Sequence, residues 1–144
     1  MVVKPYARKV QYYETDQMGV VHHSNYIRWM EEARIDFLEQ AGIPYHKLEE
    51  AGVMVPVLSC SCRFKKPLRF AQSFTVVAQL VEFNGVRFRV EYEIYNGEAK
   101  APAAFGETEH CFANADLKPI RIEKRYPYIF ERMQGTLVRE RVPL

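Results

Sequence analysis

An α+β fold, with one long helix laid on an antiparallel sheet, is what the sequence predicts, and three observations predict it. An apolar stripe at helical spacing runs from about Asn25 to Ala41. At least four later segments alternate with a period of two. An Asn84-Gly85 step separates two of them, and Asn-Gly between alternating runs is the strongest short hairpin signal. A single helix must then cover the sheet, because its stripe has nowhere else to be buried.

In chain order, Arg8 to Tyr13 is rich in aromatic and branched residues, with Val10 and Tyr12 on one face, and predicts a first strand ending in a polar, glycine-containing loop. In the helix Tyr26, Met30, Ala33, Phe37 and Ala41 form the apolar face, and Arg28, Glu31, Glu32, Asp36 and Glu39 take the other side. Ser24 or Asn25 is expected to accept hydrogen bonds from the first-turn amides, Gly42 to stop the helix in the left-handed conformation, and Pro44 to lie beyond it. A brief second helix is expected over 44–51, before Gly52.

The period then changes. Met54 to Phe64, Ser73 to Phe83, Val86 to Tyr95 and Phe105 to Ala113 all predict strands. The third is the cleanest: Val86, Phe88, Val90, Tyr92 and Ile94 alternate with Arg87, Arg89, Glu91 and Glu93, one face buried and one wet. A type I′ turn at Asn84-Gly85, with positive φ at both residues, would join it to the strand before it. From Leu117 onward the tail mixes Pro119, Pro127 and Pro143 with basic residues, and a short helix is expected near Tyr128 to Met133. There is no internal repeat, so the expectation is one domain over 1–144.

Composition narrows the class. A chain of 144 residues with 48% hydrophobic and 26% charged residues is that of a globular domain, and at this size folding buries roughly 70% of the unfolded surface. A net charge of +2 does not imply nucleic acid as a partner. No apolar run approaches the roughly 20 residues of a membrane span. The start Met1-Val2-Val3-Lys4-Pro5 lacks a signal peptide's apolar region, so the expected address is the cytoplasm, with no membrane partner. Cys60, Cys62 and Cys111 are odd in number and lack zinc or redox spacing. They are expected as reduced thiols, with Cys60 and Cys62 as two small core residues on one strand face.

Chemistry concentrates between the first strand and the helix, in Tyr12-Tyr13-Glu14-Thr15-Asp16-Gln17-Met18-Gly19-Val20-Val21-His22-His23-Ser24-Asn25-Tyr26. This segment sets a carboxylate, a glycine and two histidines before a helix N-terminus, where unpaired amides and the helix dipole favour a developing oxyanion. From the residues alone, Asp16 is more often an Asx-turn residue than a catalyst. His22 and His23 lack metal-ligand spacing and read as hydrogen-bonding residues at a helix start, so no metal or other cofactor is expected.

The pattern Tyr-Tyr-Glu-Thr-Asp-x-x-Gly-Val-Val-x-His-x-x-Tyr, followed by Glu31, Glu32, Ala33 and Arg34, resembles the 4-hydroxybenzoyl-CoA thioesterase family, and within it the YbgC-like acyl-CoA thioesterases. The similar layout continues to about Ala113, and Arg63-Phe64-Lys65-Lys66-Pro67-Leu68 looks like the family's strand ending in a proline turn. The resemblance implies a hotdog fold, a long central helix wrapped by a curved antiparallel β-sheet. It also implies hydrolysis of an acyl-CoA, with Asp16 as the catalytic carboxylate and Tyr12 and His23 at associated positions. The backbone N–H around His23 would polarise the thioester carbonyl. Asp16 would serve as general base or as nucleophile, both of which need an ionised carboxylate near the carbonyl carbon, with a lean toward the base.

Two departures from the family stand out: Ala71-Gln72 replaces the Gly-Asp of many relatives after the proline turn, and His22 replaces an aromatic residue. Arg63, Lys65, Lys66 and Arg69 form the densest basic cluster. They are candidates for the CoA phosphates as evenly as for a solvated strand edge; Arg63, Lys65 and Lys66 are the substrate-binding expectation. Family likeness further implies a homodimer or homotetramer with sites at the subunit interface. The competing readings are a hotdog dehydratase or hydratase, a non-catalytic acyl-CoA sensor, and a thioesterase acting on acyl carrier protein.

Overall fold

The computed structural model describes residues 1–138. Its elements are β1 (Tyr6–Lys9), a 3-10 turn (Tyr12–Glu14), α1 (Ser24–Gln40), α2 (Tyr45–Glu50), β2 (Val57–Phe64), β3 (Ser73–Phe83), β4 (Arg87–Asn96), β5 (Ala104–Cys111), α3 (Ile122–Arg125) and α4 (Pro127–Thr136). The strands form one sheet in the order β1-β3-β4-β5-β2, and every neighbouring pair is antiparallel. This is the expected α+β layout, one long helix against one antiparallel sheet.

The helical stripe does what its spacing predicts. Tyr26, Trp29, Met30, Ala33, Phe37 and Leu38 are all buried on α1, and they share a core with Phe74, Val76 and Leu80 of β3 and Val90, Tyr92 and Ile94 of β4. Each large apolar side chain removed from water contributes roughly 1.5–3 kcal/mol, so this layer is the main source of stability. Trp29 stacks on Phe74 with ring centroids 3.8 Å apart. At Gly106 of β5 a Cβ would lie only 2.2 Å from the Met30 sulfur. Glycine there lets α1 sit close against the sheet.

Gly42 ends α1 with φ +82°, as expected, and its N–H bonds to the Glu39 carbonyl. The start of α1 differs from expectation. Neither Ser24 nor Asn25 caps it: the Ser24 amide donates to Nδ1 of His22 at 3.2 Å, and the Asn25 side-chain amide is drawn away to the Glu14 carbonyl at 2.9 Å. The first strand is also shorter than its composition suggests. It ends at Lys9, and Tyr12 sits in the 3-10 turn, 75% exposed, because the Gln11 backbone is turned to the Glu14 carboxylate instead of to a neighbouring strand.

The β3–β4 hairpin forms, but through a different turn. Only Gly85 has positive φ, at +88°; Asn84 does not, and its side chain instead accepts the amides of Val86 and Arg87 at 2.9 and 2.7 Å. Asn84 therefore acts as an Asx-type cap on a four-residue connection between Phe83 and Phe88. Cys60 and Cys62 do share a face, opposite Thr108 and Gly106, which is the face toward Met30. They are not both core, however: β2 is an edge strand exposed along nearly its whole length, so Cys60 is exposed and Cys62 half-buried. The tail helix extends beyond the expected stretch, with α3 added before it, and Pro143 lies outside the described residues.

Candidate active site

Glu14 organises the loop that carries Asp16. Its carboxylate is 2% exposed and accepts from Arg8 through Nη1 and Nη2 (2.9 and 2.7 Å), from the Gln11 N–H (2.8 Å) and from the Trp29 indole N–H (2.7 Å). Its carbonyl accepts from the His22 amide and the Asn25 side chain. Burial alone would raise the Glu14 pKa, but these donors outweigh it and hold the carboxyl below its ordinary range. Arg8 also pairs with Glu32 at 2.8 Å and lies 5.1 Å from the Phe74 ring centroid. One buried ion pair thus ties β1, the loop and α1 together.

Above this anchor the chain folds into a tight hairpin. Thr15 and Val21 form an antiparallel bridge, the Asp16 N–H donates to the Val20 carbonyl (2.9 Å), and the Gly19 N–H donates to the Asp16 carbonyl (2.9 Å). Gly19 has φ +77°, and the turn requires it. Oδ1 of Asp16 accepts the Met18 N–H at 2.8 Å, so the residue does make the Asx turn that its local sequence suggests. Its other oxygen makes no hydrogen bond among the described residues, which leaves one lone-pair-bearing atom of a fixed, half-buried carboxylate for chemistry.

His23 stands immediately before α1. The Ser24, Asn25 and Tyr26 amides are taken by the His22 ring, the His22 carbonyl and the His23 carbonyl, whereas the His23 N–H donates to nothing among the described residues. A free amide at the positive end of a 17-residue helix is a donor for an oxyanion. The His23 ring stacks on His22 at 4.2 Å and meets Phe64 edge-on at 6.4 Å. His23, Tyr26, Phe64, Lys65, Lys66 and Pro67 line a cavity of about 270 Å³.

The expected site residues are thus brought together in part. His23, Lys65 and Lys66 share one cavity. Arg63 lines a neighbouring cavity of about 560 Å³ on the other side of β2, and Lys65 lines both. Tyr12 is exposed and packs edge-on against Phe70 at 5.5 Å, making no hydrogen bond to Asp16 or His23. Arg63, Lys65, Lys66 and Arg69 have no ion-pair partner among the described residues. Glu14, Arg8 and Trp29 were not identifiable as site residues from spacing, since their contacts cross 6 and 15 positions of sequence.

Known proteins share this architecture. A family model described as the thioesterase-like superfamily matches residues 10–133. A protein from Aquifex aeolicus of known structure is 37% identical, with 90% of this chain and 98% of that one covered and a TM-score of 0.82. The DHNA-CoA thioesterase of Staphylococcus aureus is 30% identical over 94% of this chain and 91% of its own, with a TM-score of 0.88. A 1,4-dihydroxy-2-naphthoyl-CoA hydrolase of Thermosynechococcus vestitus is 31% identical over 75% of this chain and 74% of its own. The hotdog fold expected from the sequence is the one these neighbours share, and the chain belongs to the thioesterase-like superfamily, with thioester hydrolysis as its class of chemistry.

Proposed function

We propose that this chain hydrolyses the thioester of an acyl-CoA, with Asp16 as its catalytic carboxylate. The observation that carries the reading is that one loop presents two groups, a carboxylate with one oxygen fixed and one unengaged, and a free His23 amide at the start of α1, although Asp16 does not itself line the His23 cavity. Water gives a proton to Asp16 as its oxygen bonds to the carbonyl carbon, and the developing oxyanion is held by the His23 N–H and the helix dipole. The carbon–sulfur bond then breaks, the CoA thiolate departs, and the proton held by Asp16 returns to it. A thiolate leaves readily, so neither a serine triad nor a metal is required.

Lys65 and Lys66 beside the His23 cavity support a role for the basic cluster in holding the CoA phosphates, with Arg63 reached from the adjoining cavity. Tyr12, on the exposed rim with Phe70, would flank the entering thioester. The unpaired edge of β2 supports assembly of two copies into a homodimer.

The test is Asp16→Asn. Turnover of the best acyl-CoA in a panel should fall at least about a hundredfold, the usual scale for loss of a general base, while the melting temperature and acyl-CoA binding stay near wild type. Mass spectrometry must exclude deamidation back to aspartate. A clean variant with wild-type turnover would overturn the mechanism, and a wild type that binds acyl-CoAs yet hydrolyses none would be a sensor.

A further inference from the structure

We infer that the Cys60 and Cys62 thiols, on the open edge of the sheet, are a site of covalent linkage between two copies of this chain, a cysteine of one copy being joined by oxidation to a cysteine of the other. The inference rests on the β2 pairing proposed above and not on the thioester chemistry. Cys60 is exposed, Cys62 is half-buried, and both thiols are free. They lie on the last strand of the sheet, which has β5 on one side and, among the described residues, no strand on the other. Within the chain neither has a thiol to join. Two residues apart on one face of one strand, their Cβ atoms are about 6.7 Å from each other, well beyond the roughly 3.8 Å of a disulfide. Cys111 is buried at the end of β5, three residues from the Thr108 that Cys60 opposes and so on the other face of the sheet.

The strand itself limits how two copies can pair. Along β2, Cys60, Cys62 and Phe64 share the face toward α1, and Ser59, Ser61 and Arg63 share the other. A two-fold axis perpendicular to the sheet sets like faces together, so that the thiols and Phe64 of both copies form one apolar strip. Residues facing each other across that axis then share a face, and the axis passes beside a residue, never between two. An axis beside Arg63 would set that charge against itself, and one beside Ser59 would run the ladder into the register shift between Val57 and Ser59. Axes beside Cys60, Ser61 and Cys62 avoid both. The first opposes Cys60 to the partner's Cys60, the second opposes Cys60 to the partner's Cys62, and the third opposes Cys62 to the partner's Cys62. Every one of them sets a cysteine against a cysteine. Directly opposed residues of an antiparallel pair have Cα atoms about 4.5–5.5 Å apart, inside the roughly 4.4–6.8 Å that a disulfide spans.

Linkage takes two electrons and two protons from two thiols. With hydrogen peroxide as the oxidant, one thiolate attacks a peroxide oxygen, which gives a sulfenic acid and water. The opposing thiol then displaces the sulfenic oxygen as a second water while the S–S bond forms. Burial first, and the nearby Cys60 second, push the Cys62 thiol up to about 11, and a thiol that stays protonated is a poor attacker. The two registers that involve Cys60 are therefore the readier to oxidise. The disulfide turns an association that depends on concentration into one that does not. It lies on the strand that carries Phe64 to the His23 cavity, so a linked pair keeps the second copy at the rim of the candidate site at any dilution.

The experiment treats the reduced protein with hydrogen peroxide at low micromolar concentration and separates it on a denaturing gel without reductant. The wild type should pass mostly to a species of twice the chain mass and return to the single chain with dithiothreitol. Cys111→Ser should behave like the wild type, and Cys60→Ser combined with Cys62→Ser should lose the link. The two single variants then tell which residue the axis passes. Val57→Lys, which charges the edge, should slow linkage at least about tenfold, because only paired thiols meet at a high effective concentration. Fragment masses of the wild-type tryptic peptide 48–63, which carries both thiols, assign the link without any variant. A wild type that sediments as a dimer yet does not link would place the axis elsewhere and overturn the inference. A link that survives the double variant, or one that Val57→Lys leaves at the wild-type rate, would overturn it equally, the second as chance collision of exposed thiols. A wild type that stays monomeric and unlinked would overturn it together with the pairing. Circular dichroism melts separate a folding defect from a lost link. Acyl-CoA hydrolysis enters none of these readouts, so failure here leaves the thioesterase reading where the Asp16→Asn test puts it.

Discussion

A carboxylate removed from water costs several kcal/mol unless donors surround it, and Glu14 has four, two of them from one arginine. Glu14→Gln keeps the shape but leaves Arg8 to Glu32 alone and places an amide N–H where a donor already points. The expected cost is about 3–5 kcal/mol, the scale for breaking a buried pair, read as a lower denaturation midpoint. Turnover should fall with it, because the Asp16 hairpin hangs from the Glu14 carbonyl. The Glu14 carboxyl is held below its ordinary value, so its contribution is complete above the unfolded-chain value of about 4.3 and is lost as pH falls through the folded one. His110 acts in a different window. Burial first, and the nearby Arg34 charge second, push its pKa down to about 3, against a backbone contact with Pro56 that favours the charged form. The unfolded chain takes up that proton near pH 6.5, so stability should decline from about pH 6.5 towards pH 3. Urea midpoints across that range should show a shallower slope in His110→Phe than in the wild type; identical slopes would mean that His110 is protonated in the folded protein.

At the level of elements, the contact between α1 and β5 turns on Gly106. A methyl group there would meet the Met30 sulfur at 2.2 Å, with the Ser61 carbonyl 3.2 Å away. Gly106→Ala should therefore cost about 1–3 kcal/mol, the usual penalty for overpacking. Pairing it with Met30→Ala should recover part of the loss, because the sulfur is the atom that must move; no recovery in a thermal melt would place the constraint in the backbone instead. The helix α1 was legible in the sequence because a 3.6-residue stripe is a direct image of one buried face, and β4 because apolar and charged residues alternate in its sequence, although Glu93, expected on the wet face, is buried and accepts a hydrogen bond from the Tyr95 hydroxyl. The strand β2 was legible as a strand but misleading about burial. Alternation tells which residues share a face and not whether that face is covered, so Cys60 looks like core until the strand order puts β2 at an edge. The loop motif located Asp16 and His23. It could not show the His22 cap or the Glu14 anchor, since both depend on where the chain returns in space.

For the molecule as a whole, the sheet leaves two unequal edges. The edge strand β1 has four residues, whereas β2 has eight, and along it Val57, Leu58 and Phe64 are 52%, 45% and 48% exposed. A long edge with apolar side chains and unpaired backbone groups is a template for another strand. A two-fold axis would let the same strand of a second copy satisfy it, covering apolar side chains on both copies at once. Phe64 lies on this strand and also against His23, so pairing there would bring the second copy to the rim of the candidate site. Sedimentation should accordingly show a dimer or larger species. Val57→Lys places a charge on the edge, at a position away from the His23 cavity, and should shift the equilibrium toward monomer. Turnover per chain should then fall on dilution and recover on concentration. A wild-type protein that sediments as a monomer and keeps full activity at nanomolar concentration would show instead that each chain carries a complete site and that β2 is left bare.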